Sequence, residues 1–526
     1  MMYWDKFLTH APALLVAVPL FAAFLTPILS KFGSRLRNGW ILIIAVVTEL
    51  MVIALTYHVY VEGGMVYVFG DTVTLPSGSS VPVRIIFNVD AMSMFMVFIS
   101  GTLFLLGVLY SLSFIEDESG KDKFFTLMLL LAAGMFGLEL TGDLFNLFVF
   151  FEILSIASAA LVAYRIDRAE SIEAGFKYMT LSVMAGLFLL FSVGIFYGQY
   201  DALNIATIAE KIEYNLLDKV ALVILITIFA MKCGSVPMHF WKPDAYGEAP
   251  APISLLLIAS GQASLYALFR VSFTLYGLSL DTEAVSWVII FLGVASMFVG
   301  VTMALVQKDI KRFIAYLAIS QTGYMLMAVG VGIASLQETA TGVQFLNGYG
   351  YTAAKGGIFH ILNDAITIGL LFLVAGAIYY RTGTTDLNKM GGLAHRMPLT
   401  SAFFLIGGLA LTGLPPFNSF SSKLLIFESV YNYNPLLTII GLVMSILTLA
   451  AVVKIFHSAF LGPPMKRFRD VKEVPPAMLL AMSVLVILII GIGLFPNMVV
   501  DRFVEPALDS LVDKLEYIRR IKTGGA

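Results

Sequence analysis

The sequence predicts an all-α polytopic membrane protein of about fourteen transmembrane helices, with two inverted five-helix repeats and breaks in helices seven and twelve. Three observations predict it. Of 526 residues, 59% are hydrophobic and only 13% charged, whereas soluble domains carry about a quarter charged residues. Apolar runs long enough to cross about 30 Å of hydrocarbon recur along nearly the whole chain, and each must be helical because backbone groups find no water there. Ionisable residues stand near the middle of three runs, and prolines interrupt two of these three.

In chain order the spans fall near residues 11–30, 39–60, 91–115, 122–141, 143–164, 172–198, 220–241, 250–275, 286–306, 313–334, 350–380, 400–430, 436–460 and 476–498. Residues 63–90 alternate apolar and polar side chains around Pro76, Ser77 and Gly78, the pattern of an exposed hairpin. The first span holds Pro19 and Pro27 and lacks the flanks of a signal peptide, so it is expected to stay in the mature protein. Four units follow: residues 1–115 with three spans and the hairpin, a first five-helix repeat over 116–275, a second over 286–460, and a last span with its tail over 461–526.

Basic residues concentrate in alternate loops: Lys31, Arg35 and Arg37; Lys121 and Lys123; Arg165 and Arg168; Lys242; Lys308, Lys311 and Arg312; Arg381, Lys389 and Arg396; and Lys466, Arg467, Arg469 and Lys472. The intervening segments before residue 499 hold only Lys6, Arg84, Lys211 and Lys219. Because positive loops stay in the cytoplasm, this places a multi-pass protein in the cell membrane with both termini on the outer side, although the tail LEYIRRIKTGGA runs against the trend.

The three buried charges are Glu152 in LFNLFVFFEILSIAS, Lys232 in VILITIFAMKCGS and Lys423 in NSFSSKLLIF. A charge at the centre of a membrane helix costs roughly 2.5–3.5 kcal/mol on insertion scales, so such residues face a protein interior and mark function. Pro237 and the Pro415-Pro416 pair each remove backbone donors and should break spans seven and twelve beside a lysine. Interrupted spans in corresponding positions of two halves are the pattern of an internal repeat with an ion path at its centre, and an odd offset of five spans inverts the second copy. The single cysteine, Cys233, excludes an internal disulfide and any multi-cysteine cluster on this chain. The six histidines are scattered without ligand spacing. No metal, no other cofactor and no nucleic-acid partner is therefore expected on this chain, and any redox centre would lie on another subunit.

The strings TGDLFNLFVFFEILSIAS, KCGSVPMHFWKPDAYGEAPAPIS, KDIKRFIAYLAISQTGYML and GLPPFNSFSSKLLIF resemble the antiporter-like subunits shared by respiratory complex I, membrane-bound energy-converting hydrogenases and Mrp-type sodium/proton antiporters. The resemblance runs from about residue 90 to residue 460, and within the family it points to the D-type subunit of the Mrp antiporters and its hydrogenase counterpart. It implies two inverted five-helix bundles, each with a half-channel, joined by a polar axis at mid-membrane. By position, Glu152 matches the family's span-five glutamate, Lys232 the lysine of broken span seven and Lys423 that of broken span twelve. Gln262 and Ile368 depart from it, standing where many relatives have a basic residue on spans eight and eleven.

The expected mechanism is proton transfer. Burial favours the neutral amine of Lys232, while a carboxylate in contact at about 4 Å favours the ammonium by roughly 4 kcal/mol at an effective dielectric of 20. Moving Glu152 away would then release a proton. With Gln262 and Ile368 in place, the relay toward Lys423 is expected to run through His360, Lys355, Asp364 and water. His360 and Asp364, four apart, can share a helix face that Lys355 cannot. Lys177 is expected to pair with Glu173 one turn earlier and to modulate Glu152, and Asp143 to cap span five. Arg270 and Lys454 read as snorkelling toward helix ends. The partners expected are other membrane subunits, and a peripheral redox arm if redox chemistry drives transport, with protons and sodium as the ions. A self-sufficient cation/proton transporter and a passive membrane anchor are the alternatives.

Overall fold

The computed structural model describes residues 2–74, 80–115, 120–277, 281–339, 342–345, 348–463 and 465–524. Helices α1 (Met2–Ser30) and α2 (Ser34–Glu62) lead into an antiparallel hairpin of β1 (Met65–Thr74) and β2 (Ser80–Val89), registered from Met65 opposite Val89 to Thr74 opposite Ser80. This is the expected hairpin; its tip, with Pro76, Ser77 and Gly78, lies outside the described residues. Asp90 then caps α3 (Ala91–Phe114) in a reciprocal pair of hydrogen bonds with Ser93.

The central helices are α4 (Lys121–Leu140), α5 (Leu144–Val162), α6 (Ala169–Tyr200), the short α7 (Ile205–Lys211), α8 (Leu216–Cys233), α9 (Trp241–Glu248) and α10 (Ala251–Phe269), whose last turn widens into a π-helix over Arg270–Tyr276. After them come α11 (Thr282–Leu305) and α12 (Ile310–Ala334). A small hairpin that the sequence did not lead us to expect, β3 (Leu336–Thr339) with β4 (Gly342–Phe345), joins α12 to α13 (Gly348–Thr382). The chain ends with α14 (Pro398–Thr412), α15 (Asn418–Tyr433), α16 (Pro435–Ile455), α17 (Pro476–Leu494), α18 (Pro496–Val499), α19 (Glu505–Val512) and α20 (Lys514–Gly524).

Twelve helices among the described residues are long and apolar enough to cross a membrane. The seventh and twelfth expected spans are not among them, for a physical reason. The seventh is divided into α8, which carries Asp218, Lys219 and Lys232, and the eight-residue α9; the twelfth is divided into α14 and α15, of 15 and 16 residues. Helices α10 and α13 are buried along their whole apolar windows, whereas those of α6, α16 and α17 are only 39% buried. Polar groups on α10 and α13 thus face other helices rather than lipid. Helices α11 and α12 cross closely, because a Cβ at Gly293 or Gly323 would strike the other glycine's carbonyl oxygen.

The tail lies across the helix ends that also carry the first hairpin. Tyr60 donates to the carbonyl of Phe503 (3.0 Å), Thr274 to that of Leu511 (2.8 Å), and Lys355 pairs with Glu505 (2.8 Å).

Candidate functional site: a buried line of lysines, histidine and carboxylates

Two helix interruptions build the site. Helix α8 ends at Gly234 (φ 79°, ψ 37°) and α14 at Gly413 (φ 82°, ψ 38°), both left-handed caps of the kind glycine adopts without strain. Each is followed three residues later by a proline after a cis bond, Val236-Pro237 and Pro415-Pro416. All three prolines expected to break helices therefore lie in the breaks.

Lys232 occupies the last turn of α8, and its ammonium donates to Ser155 Oγ (2.8 Å), Ser182 Oγ (2.9 Å) and Tyr178 Oη (3.2 Å), lying 4.8 Å above the ring centre of Phe151. The expected contact pair with Glu152 is not formed. Ser155, one turn along α5, presents its hydroxyl to the lysine, while the Glu152 carboxylate sits against Gly186 of α6. Among the described residues its Oε1 is buried with no hydrogen-bond partner and Glu152 makes no ion pair, although the field of Lys232 reaches it.

Deeper in, His360 on α13 bonds Ser422 Oγ through Nδ1 (2.9 Å) and Gln321 Oε1 through Nε2 (3.1 Å), and Asn363 donates to the same Ser422 (3.0 Å). One turn on, Asp364 accepts from Gln262 Nε2 (3.1 Å) through Oδ2, leaving Oδ1 buried and unpartnered. His360 and Asp364 are not bonded to each other. Ile368, another turn along, is wholly buried. Lys423 on α15 donates to the Leu411 carbonyl (2.8 Å) and Ser445 Oγ (3.2 Å) beneath the ring of Tyr324, and a cavity of about 280 Å³ opens against it.

Other expectations fare differently. Lys355 is paired with Glu505 of the tail, so α13 carries it away from His360 and Asp364. Lys177 pairs with Glu173 (2.7 Å) and also with Asp244 of α9 (3.0 Å), and makes no contact with Glu152. Asp143 caps α5, accepting from the N–H groups of Phe145 and Asn146 at 2.9 and 3.0 Å. Arg270 does not snorkel: it is buried and paired with Asp90 (2.8 Å), with Tyr266 and Thr274 around it. Lys454 reaches the Leu305 carbonyl at the end of α11 (3.0 Å).

By its sequence position Lys242 is expected in a loop. Instead it is buried, 3% exposed beside 4% for Lys232 and 2% for Lys423, and donates to the Cys233 carbonyl (2.7 Å). The signal that could have found it is the spacing: a Gly-x-x-Pro break followed by a lysine occurs in both Gly234–Lys242 and Gly413–Lys423. Two buried acids were also missed, Glu49 with Thr102 (2.9 Å) and Glu139 with Ser100 (2.5 Å); neither has a cation within ion-pair distance among the described residues. Among the described residues no group of three or more His, Cys, Asp or Glu side chains could hold a metal ion.

Comparison with known proteins decides the family. Residues 141–448, which contain both breaks and the whole buried line, match the family model described as NADH:quinone oxidoreductase/Mrp antiporter, TM. The chain belongs to this family. It is 32% identical over 462 residues to the D-type subunit of the Na(+)/H(+) antiporter of Alkalihalophilus pseudofirmus, covering 87% of this chain and 89% of that one. It is 28% identical over 513 residues to the A-type subunit from the same organism, covering 94% of this chain but spanning only 62% of that longer protein. Among solved structures, a chain of the membrane-bound sulfane sulfur reductase, an archaeal respiratory membrane complex, superposes with a TM-score of 0.82 at 30% identity, over 97% of this chain and 99% of that one. The family member described here is a multi-pass membrane protein, similar to subunits of multisubunit membrane complexes.

Proposed function

We propose that the chain is a proton-translocating, antiporter-like subunit of a multisubunit membrane complex. The observation that carries this reading is the pair of buried lysines at two helix breaks, neither in contact with a carboxylate among the described residues, with His360 and Asp364 on α13, which packs against the helix of Lys423 and, through α10, faces that of Lys232. Each ammonium is held by hydroxyl or carbonyl oxygens and an aromatic face rather than by a carboxylate in contact, so no salt bridge locks its proton in place. Glu152 sets the field at Lys232 without bonding it; a partner that drew the carboxylate closer would hold the ammonium, and one that drew it away would release the proton inward. The proton then passes over Asp364 and His360 to Lys423, whose neighbouring cavity admits water. In this reading residues 116–275 and 286–460 form the two inverted bundles, both termini lie on the outer side, and partner membrane subunits supply redox drive or exchange sodium for the protons.

The test is the complete complex, purified through a tag on this chain and reconstituted in vesicles. Lys232→Ala should abolish coupled proton movement while the subunits still co-purify. Native-rate transport by a fully assembled variant would overturn the proposal. Mass spectrometry of the same preparation identifies the drive: metal-cluster subunits mean a redox pump, and only small hydrophobic partners mean a sodium/proton antiporter.

A further inference from the structure

We infer that Lys242 is a proton-carrying residue at the centre of the path, and that it, rather than Lys232, is the counterpart of Lys423. The inference rests on the transport reading above and adds a residue to it.

The two breaks are built alike in four respects. Each first half-helix ends on a left-handed glycine, Gly234 or Gly413, with φ and ψ agreeing within a few degrees. Each second half-helix sends a lysine back across that glycine, so that a Cβ at Gly234 would overlap Lys242 Cδ and one at Gly413 would come within 2.9 Å of Lys423 Cδ. Each lysine donates to a carbonyl at the end of the first half-helix, Cys233 (2.7 Å) or Leu411 (2.8 Å). Both ammonium groups act on the same carboxylate, Asp364. Lys232 shares none of this, since it stands before its break and is solvated by hydroxyls.

A purely structural role does not account for Lys242. Taking an ammonium out of water is costly, and a hydroxyl or amide would satisfy one free carbonyl at far lower cost. The groups facing it are the carbonyl and thiol of Cys233 from α8 and the capping Gly234, the Tyr246 ring from α9 (5.4 Å), and Asp364 from α13, itself bonded to Gln262 of α10. None of the acidic groups lies within ion-pair distance of the ammonium. Toward Lys232, the ring of Tyr178 packs edge-on against Trp241, the residue before Lys242, at 5.0 Å, and its hydroxyl bonds the Lys232 ammonium. The step balances as a proton relay: Lys232 goes from ammonium to amine as Lys242 goes from amine to ammonium, and Lys242 returns to amine as the Asp364 carboxylate becomes the acid.

The test uses the native complex in vesicles, with Lys232→Ala, Lys242→Met and Lys242→Arg measured together. Lys242→Met should lower proton transport by about tenfold or more with all subunits co-purifying. Lys242→Arg keeps the charge and a donor for the Cys233 carbonyl, yet a guanidinium does not give up its proton, so it should assemble and remain as slow as the methionine variant. Native-rate transport by the assembled arginine variant, with Lys232→Ala inactive, would overturn this inference and leave the proposed function standing. Native rates in all three variants would overturn both.

Discussion

At the break between α8 and α9 a lysine stands on either side of the interruption, whereas between α14 and α15 only the far side carries one. The shared element, a lysine folded back over a left-handed glycine onto a freed carbonyl, is one amine inside each broken helix. The extra element, Lys232 among Ser155, Tyr178 and Ser182, lies on the side where Glu152 stands. On the proposed path, the difference gives the first break both a station whose charge a neighbouring carboxylate would tune and a station that would hand on to Asp364, while the second break would unite these in Lys423 beside an open cavity.

The comparison can be broken most sharply at Lys423. Because it is the only lysine of its break, Lys423→Ala should reduce proton transport by roughly a hundredfold in the assembled complex; a loss no greater than that of Lys242→Met would remove the asymmetry. Next, Glu152→Gln should slow transport less than removal of Lys232, Lys242 or Lys423, since a carboxylate that makes no ion pair acts through less than the roughly 4 kcal/mol of a contact pair. Vesicle assays of both variants side by side give the ranking. The shared half of the comparison is sharpened by Gly234→Ala and Gly413→Ala. Both place an L residue in left-handed backbone at about 1–2 kcal/mol, but the Cβ overlaps the lysine chain more severely at the first, so thermal unfolding should fall further for Gly234→Ala. In the Lys242→Met background, Gln262→Lys should return part of the transport, because Gln262 already touches Asp364. Smallest is Lys355→Met: its partly exposed pair with Glu505 is worth under about 1 kcal/mol, and transport should be unchanged.

Much of this was legible before any coordinates. Apolar run lengths placed the helices, prolines placed both breaks, and intramembrane charge singled out Glu152, Lys232 and Lys423, because these signals are local. Lys242 was lost because a basic residue close to a predicted span end reads as a loop charge, and nothing in hydropathy says that α9 turns its lysine inward. The absent contact between Glu152 and Lys232 was equally hidden: whether α5 shows its carboxylate or the hydroxyl of Ser155 depends on a rotation set by packing against Gly186. Lys355 and Arg270 were misjudged for the same reason, since their partners, Glu505 and Asp90, are separated from them by 150 and 180 positions in sequence. The β3–β4 hairpin was missed between two long helical patterns that dominate any window around it.

The residue whose carbonyl anchors Lys242 is Cys233, and it carries the only thiol in the chain. It is buried. The first break therefore comes with its own reporter: a small membrane-permeant thiol reagent marks that one position and no other on this subunit. The labelling rate, followed with and without turnover, times how often the break is exposed, and it does so in the unmutated protein.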